Sequence, residues 1–313
     1  MRENVSVQSQ ILFFISRFLI FIGMVVFFYS AFSVFGMLFL KPLFGIDVMK
    51  DFSILSNIST DPKVLNAAKF LQVFISIGLF VVPAWFFPKA IQQDSATFLN
   101  IKSRFTFKDI SFGLALMIIS TPLISWLIYF NGSITFPDSM ASIEHLLRAA
   151  EDSAAQLTQA FIKTDSFGGL LINIIVVALI PAFCEELLFR GALQQFFVMC
   201  FKNKHVAVWT TAIIFSAFHM QFFGFLPRLT LGVFLGYMFA YSGSLWVSVI
   251  AHFINNLLAL LASYYKWNEG AIDFLKEDYI FPAYINVLSF ILCVGIIYLM
   301  HFYQKKEEQI YEG

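Results

Sequence analysis

Hydrophobic residues along this chain fall into eight long blocks separated by short polar segments. A membrane-spanning helix needs about 20 mostly apolar residues, and each block approaches or exceeds that length. The pattern therefore predicts an all-α fold, a polytopic transmembrane helix bundle with about eight spans. The predicted spans are Ile11–Leu40, Val64–Phe87, Ile110–Phe130, Phe167–Cys200, His205–Phe223, Leu226–Tyr241, Leu245–Tyr265 and Ile280–Tyr303.

Three of these blocks depart from a simple perpendicular crossing. The first and fourth are longer than one crossing needs, so we expect tilt, a kink or an interfacial extension. Pro181 lies inside the fourth block and is a candidate for a kink. The short sixth block carries Gly232 and Gly236, a spacing of small residues that allows helices to approach closely.

Composition agrees with a membrane location and narrows the partners. Hydrophobic residues make up 59% of the 313 residues and charged residues 13%, about half the charge of a soluble domain. The formal net charge is zero, so no basic surface predicts nucleic-acid binding. The predicted partners are membrane lipid and a membrane-associated peptide or protein substrate. With no long soluble segment, residues 1–313 are predicted to form a single membrane domain.

The longest polar segment, residues 131–166, carries a pattern of its own. Apolar residues recur at helical spacing from Ile143 to Phe161, with acidic and basic residues between them. This pattern predicts an amphipathic helix at the membrane surface or over a cavity. The helix could simply pack on the bundle as a loop element, or it could act as a lid or substrate guide.

A few ionisable and amide side chains lie inside the apolar blocks. Each charge inside a span costs about 2.5–3.5 kcal/mol on insertion scales, and such residues are usually functional. The fourth block carries three charged residues, the fifth one histidine and the seventh a histidine with an asparagine. The candidate site residues among them are Glu185, Glu186, Arg190, His219, His252 and Asn256.

The three charged residues of the fourth block have different expected roles. Glu186 and Arg190 are four residues apart, so they can pair along one face of a helix. Glu185 points about 100° away from Glu186 and is available for another partner. A purely structural ion pair would explain Glu186 and Arg190, but it would leave Glu185 without a purpose.

The depth of these residues favours one site. Glu185 and His219 each lie about 21–22 Å along their helices from the short turn that joins the two blocks. An antiparallel hairpin would therefore bring them to the same level. His252 lies only about 12 Å from its own turn, so it reaches that level only with a tilted helix or a sunken turn. Interhelical hydrogen bonding is the simpler alternative for both histidines.

Several kinds of hydrolytic chemistry could use these residues. A carboxylate beside an imidazole can activate water, and a second histidine with an asparagine can stabilise an oxyanion. A zinc site built from Glu185, His219 and His252 is the competing possibility. Nucleophilic catalysis by Cys184 is weaker because buried cysteines are usually inert. The candidate serines, Ser216 and Ser248, lack the sequence context of a nucleophile elbow.

Three short motifs occur in order along these blocks and carry a family resemblance. They are EExxxR at Glu185–Arg190, FxxxH at Phe215–His219 and HxxxN at His252–Asn256. In this order on membrane spans, the motifs resemble the CAAX prenyl protease and bacteriocin-processing (CPBP, or Abi) family of intramembrane proteases. The resemblance covers residues 167–261, the expected catalytic core.

The resemblance implies an intramembrane endopeptidase that hydrolyses a peptide bond with a glutamate-activated water. It implies Glu185 as general base, His219 as the residue that positions the water, and His252 with Asn256 as the oxyanion site. Glu186 and Arg190 would support that site. The family has been described both as glutamate proteases and as metalloproteases, so no cofactor is expected unless zinc is bound.

Two functions of other classes stay open at the level of sequence. The first is a non-enzymatic membrane immunity or scaffold protein in which the polar cluster only holds helices together. The second is a proton-coupled transporter, since carboxylates and histidines inside spans also mark ion paths. In each case the expected location is the plasma (inner) membrane of a bacterium, crossed several times.

Overall fold

A computed structural model describes residues 7–51, 54, 58, 61–265 and 281–312 of the chain. Helices make up 84% of the structure, and no strand occurs in the part of the chain described. The predicted all-α fold class is therefore confirmed.

The described residues form eleven helices when a helix that continues through a π-helical turn is counted as one. Two of them, α3 and α6, lie in the polar segments between the predicted apolar blocks, and α5 continues the third block after a bend. The bounds are α1 Val7–Phe44, α2 Pro62–Ala90, α3 Ser95–Phe98, α4 Phe107–Ile119, α5 Thr121–Gly132, α6 Ala141–Ile162, α7 Phe167–Phe201, α8 Lys204–Phe218, α9 Phe225–Ser242, α10 Leu245–Tyr264 and α11 Ala283–Glu312.

Every predicted span overlaps a helix or a bent pair of helices, but the predicted count of eight is not confirmed. Five described helices, α1, α2, α7, α10 and α11, are long and apolar enough to cross a membrane. The bent pair α4 and α5 makes a sixth if it counts as one span, whereas α8 is a shorter apolar helix. The first residue of the predicted eighth span, Ile280, lies outside the described residues.

Local sequence accounts for several helix ends. The side chain of Asp61 accepts a hydrogen bond from Lys63 N at the start of α2, where Pro62 occupies the first turn. Thr106 and Asp109 form a reciprocal capping box at the start of α4. At the other end of a helix, Gly243 ends α9 with φ at +65°, a left-handed conformation that glycine adopts without a Cβ clash.

The break between α4 and α5 is a bend of 44° at Ser120, next to Pro122 in the first turn of α5. Proline has no backbone N–H, so it leaves a carbonyl of the preceding turn without its helical partner. In this bend the side chain of Ser289 donates a hydrogen bond of 2.6 Å to Ile119 O. A side chain of α11 therefore contributes a polar contact to the bend.

By its internal contacts the chain divides into two units, which are described separately. Unit 1 comprises Met1–Lys102 and Phe183–Ala207, and unit 2 comprises Ser103–Ala182 and Val208–Gly313. The unit boundaries fall in the segment between α3 and α4, inside α7 and inside α8. The prediction of one membrane domain over residues 1–313 stays a prediction.

Aromatic side chains form much of the interior of unit 1. Phe14 and Phe18 of α1 stack on Phe196 of α7, with ring centroids 5.7 and 6.4 Å away respectively. Phe196 also meets the buried ring of Phe87 edge-on at 5.4 Å. Such offset and edge-to-face arrangements stabilise aromatic pairs beyond simple burial, and they hold the C-terminal half of α7 against α1 and α2.

The interior of unit 2 lies among α4, α5, α9, α10 and α11. Leu116, Leu235 and Met238 are fully buried there. Gly232 of α9 lies so close to α8 that an added Cβ would be 3.1 Å from the Cβ of Ala212. The small residue therefore allows the close helix contact that its spacing predicts.

Candidate active site

In unit 1, Glu186 and Arg190 form the ion pair that their spacing predicts. Arg190 Nη1 lies 2.6 Å from Glu186 Oε1, and both side chains are 0% exposed. A charge without water around it is stable only when a counter-charge and hydrogen bonds replace the water. The pair is therefore a fixed part of the interior of unit 1.

Glu185 lies beside this pair but differs from Glu186 in exposure. Its side chain is half-buried, whereas Glu186 is fully buried. The helix changes its winding just after these residues, because Leu187–Gln194 forms a π-helical turn that also carries Arg190. Extra residues in a helical turn occur frequently at functional sites, where they re-aim side chains.

In unit 2, the structure corrects the predicted position of His219. The predicted span runs to Phe223, but α8 ends at Phe218, and His219 lies in the turn that follows. The helix stops because Met220 takes a left-handed backbone conformation with φ at +55°, which no helix continues. His219 is half-buried at the end of α8 rather than inside a span.

The side chain of His219 caps the helix that carries it. The backbone N–H of His219 turns to Ser216 O, and the ring nitrogen Nδ1 lies 2.8 Å from Phe215 O. A carbonyl oxygen only accepts, so Nδ1 is the donor and carries a proton. In the neutral ring Nε2 is then the unprotonated nitrogen and an acceptor.

Phe215 brings the two motif histidines together within unit 2. Its ring is 2% exposed and meets the ring of His219 at 5.0 Å and the ring of His252 at 6.2 Å, edge-on in both cases. His252 itself is buried on α10. One aromatic ring therefore contacts two imidazoles, one just after the end of α8 and the other on α10.

Asn256 lies one helical turn after His252 on α10 and is half-buried. The neighbouring Asn255 donates a long hydrogen bond of 3.4 Å from Nδ2 to Asn256 Oδ1. An asparagine whose oxygen accepts this bond keeps its amide N–H groups for other acceptors. This geometry fits a donor role for Asn256.

The structure thus groups His219, His252 and Asn256 in unit 2 and Glu185, Glu186 and Arg190 in unit 1. The expectation that Glu185 and His219 share one depth stays a prediction. In the described residues no group of three or more His, Cys, Asp or Glu side chains could hold a metal ion.

The alternative nucleophiles are either buried or hydrogen-bonded to backbone carbonyls. Cys184 is 3% exposed on α7. Ser216 Oγ donates to Phe225 O at 2.6 Å, and Ser248 Oγ donates to Leu245 O at 2.9 Å. Both hydroxyl groups therefore satisfy backbone carbonyls. A cavity of about 550 Å³ in unit 1 is lined by residues 9–11, 13–14 and 199–202, and none of the predicted site residues is among its lining.

Sequence reasoning assigned no role to Phe215, although its ring contacts both histidines. It also did not assign roles to Asn131 or Glu151, whose side chains hold the residues after His219. Phe215 had a signal in the sequence, since it is the first residue of the FxxxH motif. The other two contact residues 72 to 95 positions away, and a local pattern does not encode such pairs.

Comparisons with known proteins agree with the resemblance. Residues 167–258 match the family model described as Rce1-like, type II CAAX prenyl endopeptidase. This range includes all three motifs, and the match confirms the resemblance drawn from them. The matched segment and the apolar helices together indicate an integral membrane protein.

One curated relative is the uncharacterized protein YpbD of Bacillus subtilis (strain 168). It is 36% identical over 86 residues, which make up 26% of this chain and 41% of the relative. The chain therefore spans less than half of the length of that relative. No solved structure matches the chain.

Proposed function

We propose that the protein is an intramembrane endopeptidase that hydrolyses a peptide bond of a membrane-associated protein or peptide. The observation that supports this most is the contact of both motif histidines, His219 and His252, with the single buried ring of Phe215. Packing alone does not require two imidazoles at this place, because any apolar side chain could fill the space at less cost. The match of residues 167–258 supplies the reaction class.

The proposed reaction uses a water molecule as the nucleophile. Nε2 of His219 accepts a hydrogen bond from the water, because Nδ1 donates to Phe215 O. Glu185 takes a proton from the water while the water oxygen attacks the carbonyl carbon of the substrate. Glu185 then gives that proton to the nitrogen of the leaving amine as the C–N bond breaks.

The developing oxyanion needs hydrogen-bond donors. His252 and Asn256 are one turn apart on α10 and offer N–H groups for it. Glu186 and Arg190 support the site by holding the half of α7 that carries Glu185. They act as an internal brace and take no part in the proton transfers.

The proposed location is the plasma membrane of a bacterium, which agrees with the source of the Bacillus relative. The substrate would be a peptide or protein held at the membrane by apolar or lipid groups. Membrane lipid is the other proposed partner. No step above needs a metal ion or an organic cofactor.

The experiment compares peptide termini in membranes of cells that produce the wild type, Glu185→Ala, His219→Ala or a control. Asp165→Asn is the matched control, since Asp165 is an exposed carboxylate in the loop before α7. Mass spectrometry of new termini detects cleavage of any membrane substrate. We expect termini that depend on the protein to fall by at least ~100-fold in Glu185→Ala, because a general acid–base group contributes at least that much. They should also fall in His219→Ala, because the water loses the acceptor that positions it.

The same experiment separates the competing functions. Termini that persist in both alanine variants contradict the protease. If the wild type generates none and its phenotype survives Glu185→Gln, a non-enzymatic immunity or scaffold role replaces it. Proton-dependent solute uptake in liposomes with the purified protein would instead indicate a transporter.

The metal question has its own test. Purified protein is assayed for zinc and treated with a chelator before cleavage is measured. The glutamate mechanism predicts cleavage that the chelator leaves unchanged. Cleavage that is lost on chelation and restored by added zinc would show a metalloprotease.

A further inference from the structure

Residues 219–224 form the turn that joins α8 to α9. Side chains of two other helices bind this turn and its neighbour Leu226. Glu151 Oε2 on α6 accepts a hydrogen bond of 3.0 Å from Phe223 N. The buried Asn131 uses both ends of its amide: Nδ2 donates to Phe222 O at 3.1 Å, and Oδ1 accepts from Leu226 N at 2.7 Å. These bonds fix the α8–α9 turn from two other helices of unit 2.

A second set of contacts fixes α6 itself. Arg148 Nε donates to Glu144 Oε1 at 2.8 Å, and its Nη2 donates to Ile134 O at 3.0 Å. The other oxygen of Glu144 accepts from Phe136 N at 2.7 Å. The guanidinium carbon of Arg148 also lies 4.0 Å from the ring centroid of Phe223. The planar, five-donor guanidinium suits such a many-sided contact.

The α8–α9 turn needs this support because its backbone is unfavourable. Met220 has φ at +55°, a left-handed conformation that is unfavourable for a non-glycine residue. Its side chain is 83% exposed, so packing of that side chain does not hold it there. Unfavourable conformations persist when surrounding contacts determine them, and here those contacts come from Glu151 and Asn131.

We propose that Glu151 of α6 is a positioning residue that holds the α8–α9 turn, and through it the imidazole of His219, in the orientation needed for hydrolysis. This inference rests on the proposed function for its catalytic consequence. It gives the amphipathic helix a defined role, since α6 fixes the end of α8, where His219 caps its own helix. The residue acts on the reaction only through His219.

The test uses three variants of the full-length protein reconstituted in liposomes. Glu151→Ala removes the acceptor for Phe223 N, whereas Glu151→Gln keeps an oxygen that accepts the same bond. Asp152→Ala is the matched control, because Asp152 is the next carboxylate on α6 and is exposed. Hydrogen exchange of the peptide that covers residues 219–226 reports the turn. The rate at which Glu185-dependent peptide termini appear reports the reaction.

We expect Glu151→Ala to speed exchange in residues 219–226 and to slow cleavage by about 10-fold, the effect of ~1.4 kcal/mol on a rate. Glu151→Gln should restore both readouts to within about 2-fold of the wild type, since the hydrogen bond is retained. Asp152→Ala should change neither. Rescue by glutamine distinguishes positioning from a requirement for the negative charge.

Two failures can be told apart. Unchanged exchange in residues 219–226 of Glu151→Ala overturns the inference, whatever the activity. Faster exchange with unchanged cleavage also overturns it, because the turn would then not control the reaction. A wild type that produces no Glu185-dependent termini refutes the proposed protease, while faster exchange in Glu151→Ala would still establish the contact between α6 and the turn.

Discussion

Unit 1 and unit 2 each contain a glutamate and an arginine four residues apart on one helix. In unit 1, Glu186 and Arg190 lie 2.6 Å apart and are both 0% exposed. In unit 2, Glu144 and Arg148 lie 2.8 Å apart, with 18% and 40% of their side chains exposed. The spacing and the residue types are the same, so burial is what distinguishes the two pairs.

The difference teaches that one sequence pattern can serve two purposes. Leaving one partner of a buried pair alone costs about 3–5 kcal/mol, because a charge stays without water or counter-charge. A pair that is still partly in contact with water, as Glu144 and Arg148 are, contributes about 0–1 kcal/mol. We therefore expect Glu186 and Arg190 to be needed for stability, whereas Arg148 matters through the backbone groups and the ring of Phe223 that it contacts.

The largest expected effect comes from breaking the buried pair. Glu186→Ala should lower the free energy of unfolding by about 3–5 kcal/mol, measured from denaturant unfolding of the protein in detergent. The matched control is Glu144→Ala on the half-buried pair, where the lost ion pair should account for less than about 1 kcal/mol. Equal losses in the two variants would contradict the comparison.

If the Glu186→Ala protein does not accumulate, a second variant tests the same contribution of the buried pair to stability. The double variant Glu186→Leu with Arg190→Met removes both charges and keeps apolar volume. Replacement of a whole buried pair by apolar residues is often neutral or stabilising. We therefore expect the double variant to unfold at a higher denaturant concentration than Glu186→Ala. If the double variant loses as much stability as the two single variants together, an isolated buried charge is not the cause of the loss in Glu186→Ala.

A smaller effect on stability is expected at Phe215. Phe215→Leu keeps an apolar side chain but removes the ring that lies edge-on to His219 and His252. The lost aromatic contacts should cost about 0.5–1.5 kcal/mol of stability. The rate of cleavage should fall further than it does in Phe218→Leu. Denaturant unfolding and the rate of new peptide termini are measured together, with the exposed Phe218→Leu as control. Cleavage that falls no further in Phe215→Leu than in Phe218→Leu would separate the ring from the reaction.

The smallest expected effect is the pH dependence of the half-buried pair Glu144 and Arg148. The N–H of Phe136 and then the side chain of Arg148 hold the pKa of Glu144 below its ordinary value of 4.5. The carboxylate therefore stabilises the folded state fully above about pH 4.5, and this contribution is lost as the pH falls through the lowered pKa. We expect the melting temperature of the wild type to approach that of Glu144→Gln only below about pH 4.5. Parallel curves down to about pH 3 would show that Glu144 contributes nothing there.

The sequence predicts some of these features because they depend on neighbouring residues. Apolar blocks place the helices, and the i, i+4 spacing identifies Glu186 with Arg190. The end of α8 could not be predicted in this way, because it depends on the left-handed backbone of Met220 and on the imidazole of His219 turning back to Phe215 O. The predicted number of spans is not confirmed, since block length alone does not distinguish a full crossing from the shorter α8.

The contacts of Asn131 and Glu151 with the α8–α9 turn could not be predicted from local sequence patterns, for a physical reason. Asn131 and Glu151 meet residues 222–226 only after several helices have packed. Each half of the contact looks like an ordinary polar residue at the end of a span or on an amphipathic helix. Burial, which separates the Glu186–Arg190 pair from the Glu144–Arg148 pair, is likewise a property of the packed structure.

Two neighbouring carboxylates test the central claim most directly. Glu185→Gln and Glu186→Gln are purified side by side, and denaturant unfolding and cleavage of the identified substrate peptide are measured on each preparation. We expect Glu185→Gln to unfold like the wild type but to lose cleavage, whereas Glu186→Gln should lose stability. Wild-type cleavage by a folded Glu185→Gln protein would contradict the assignment of Glu185 as the base of an intramembrane protease.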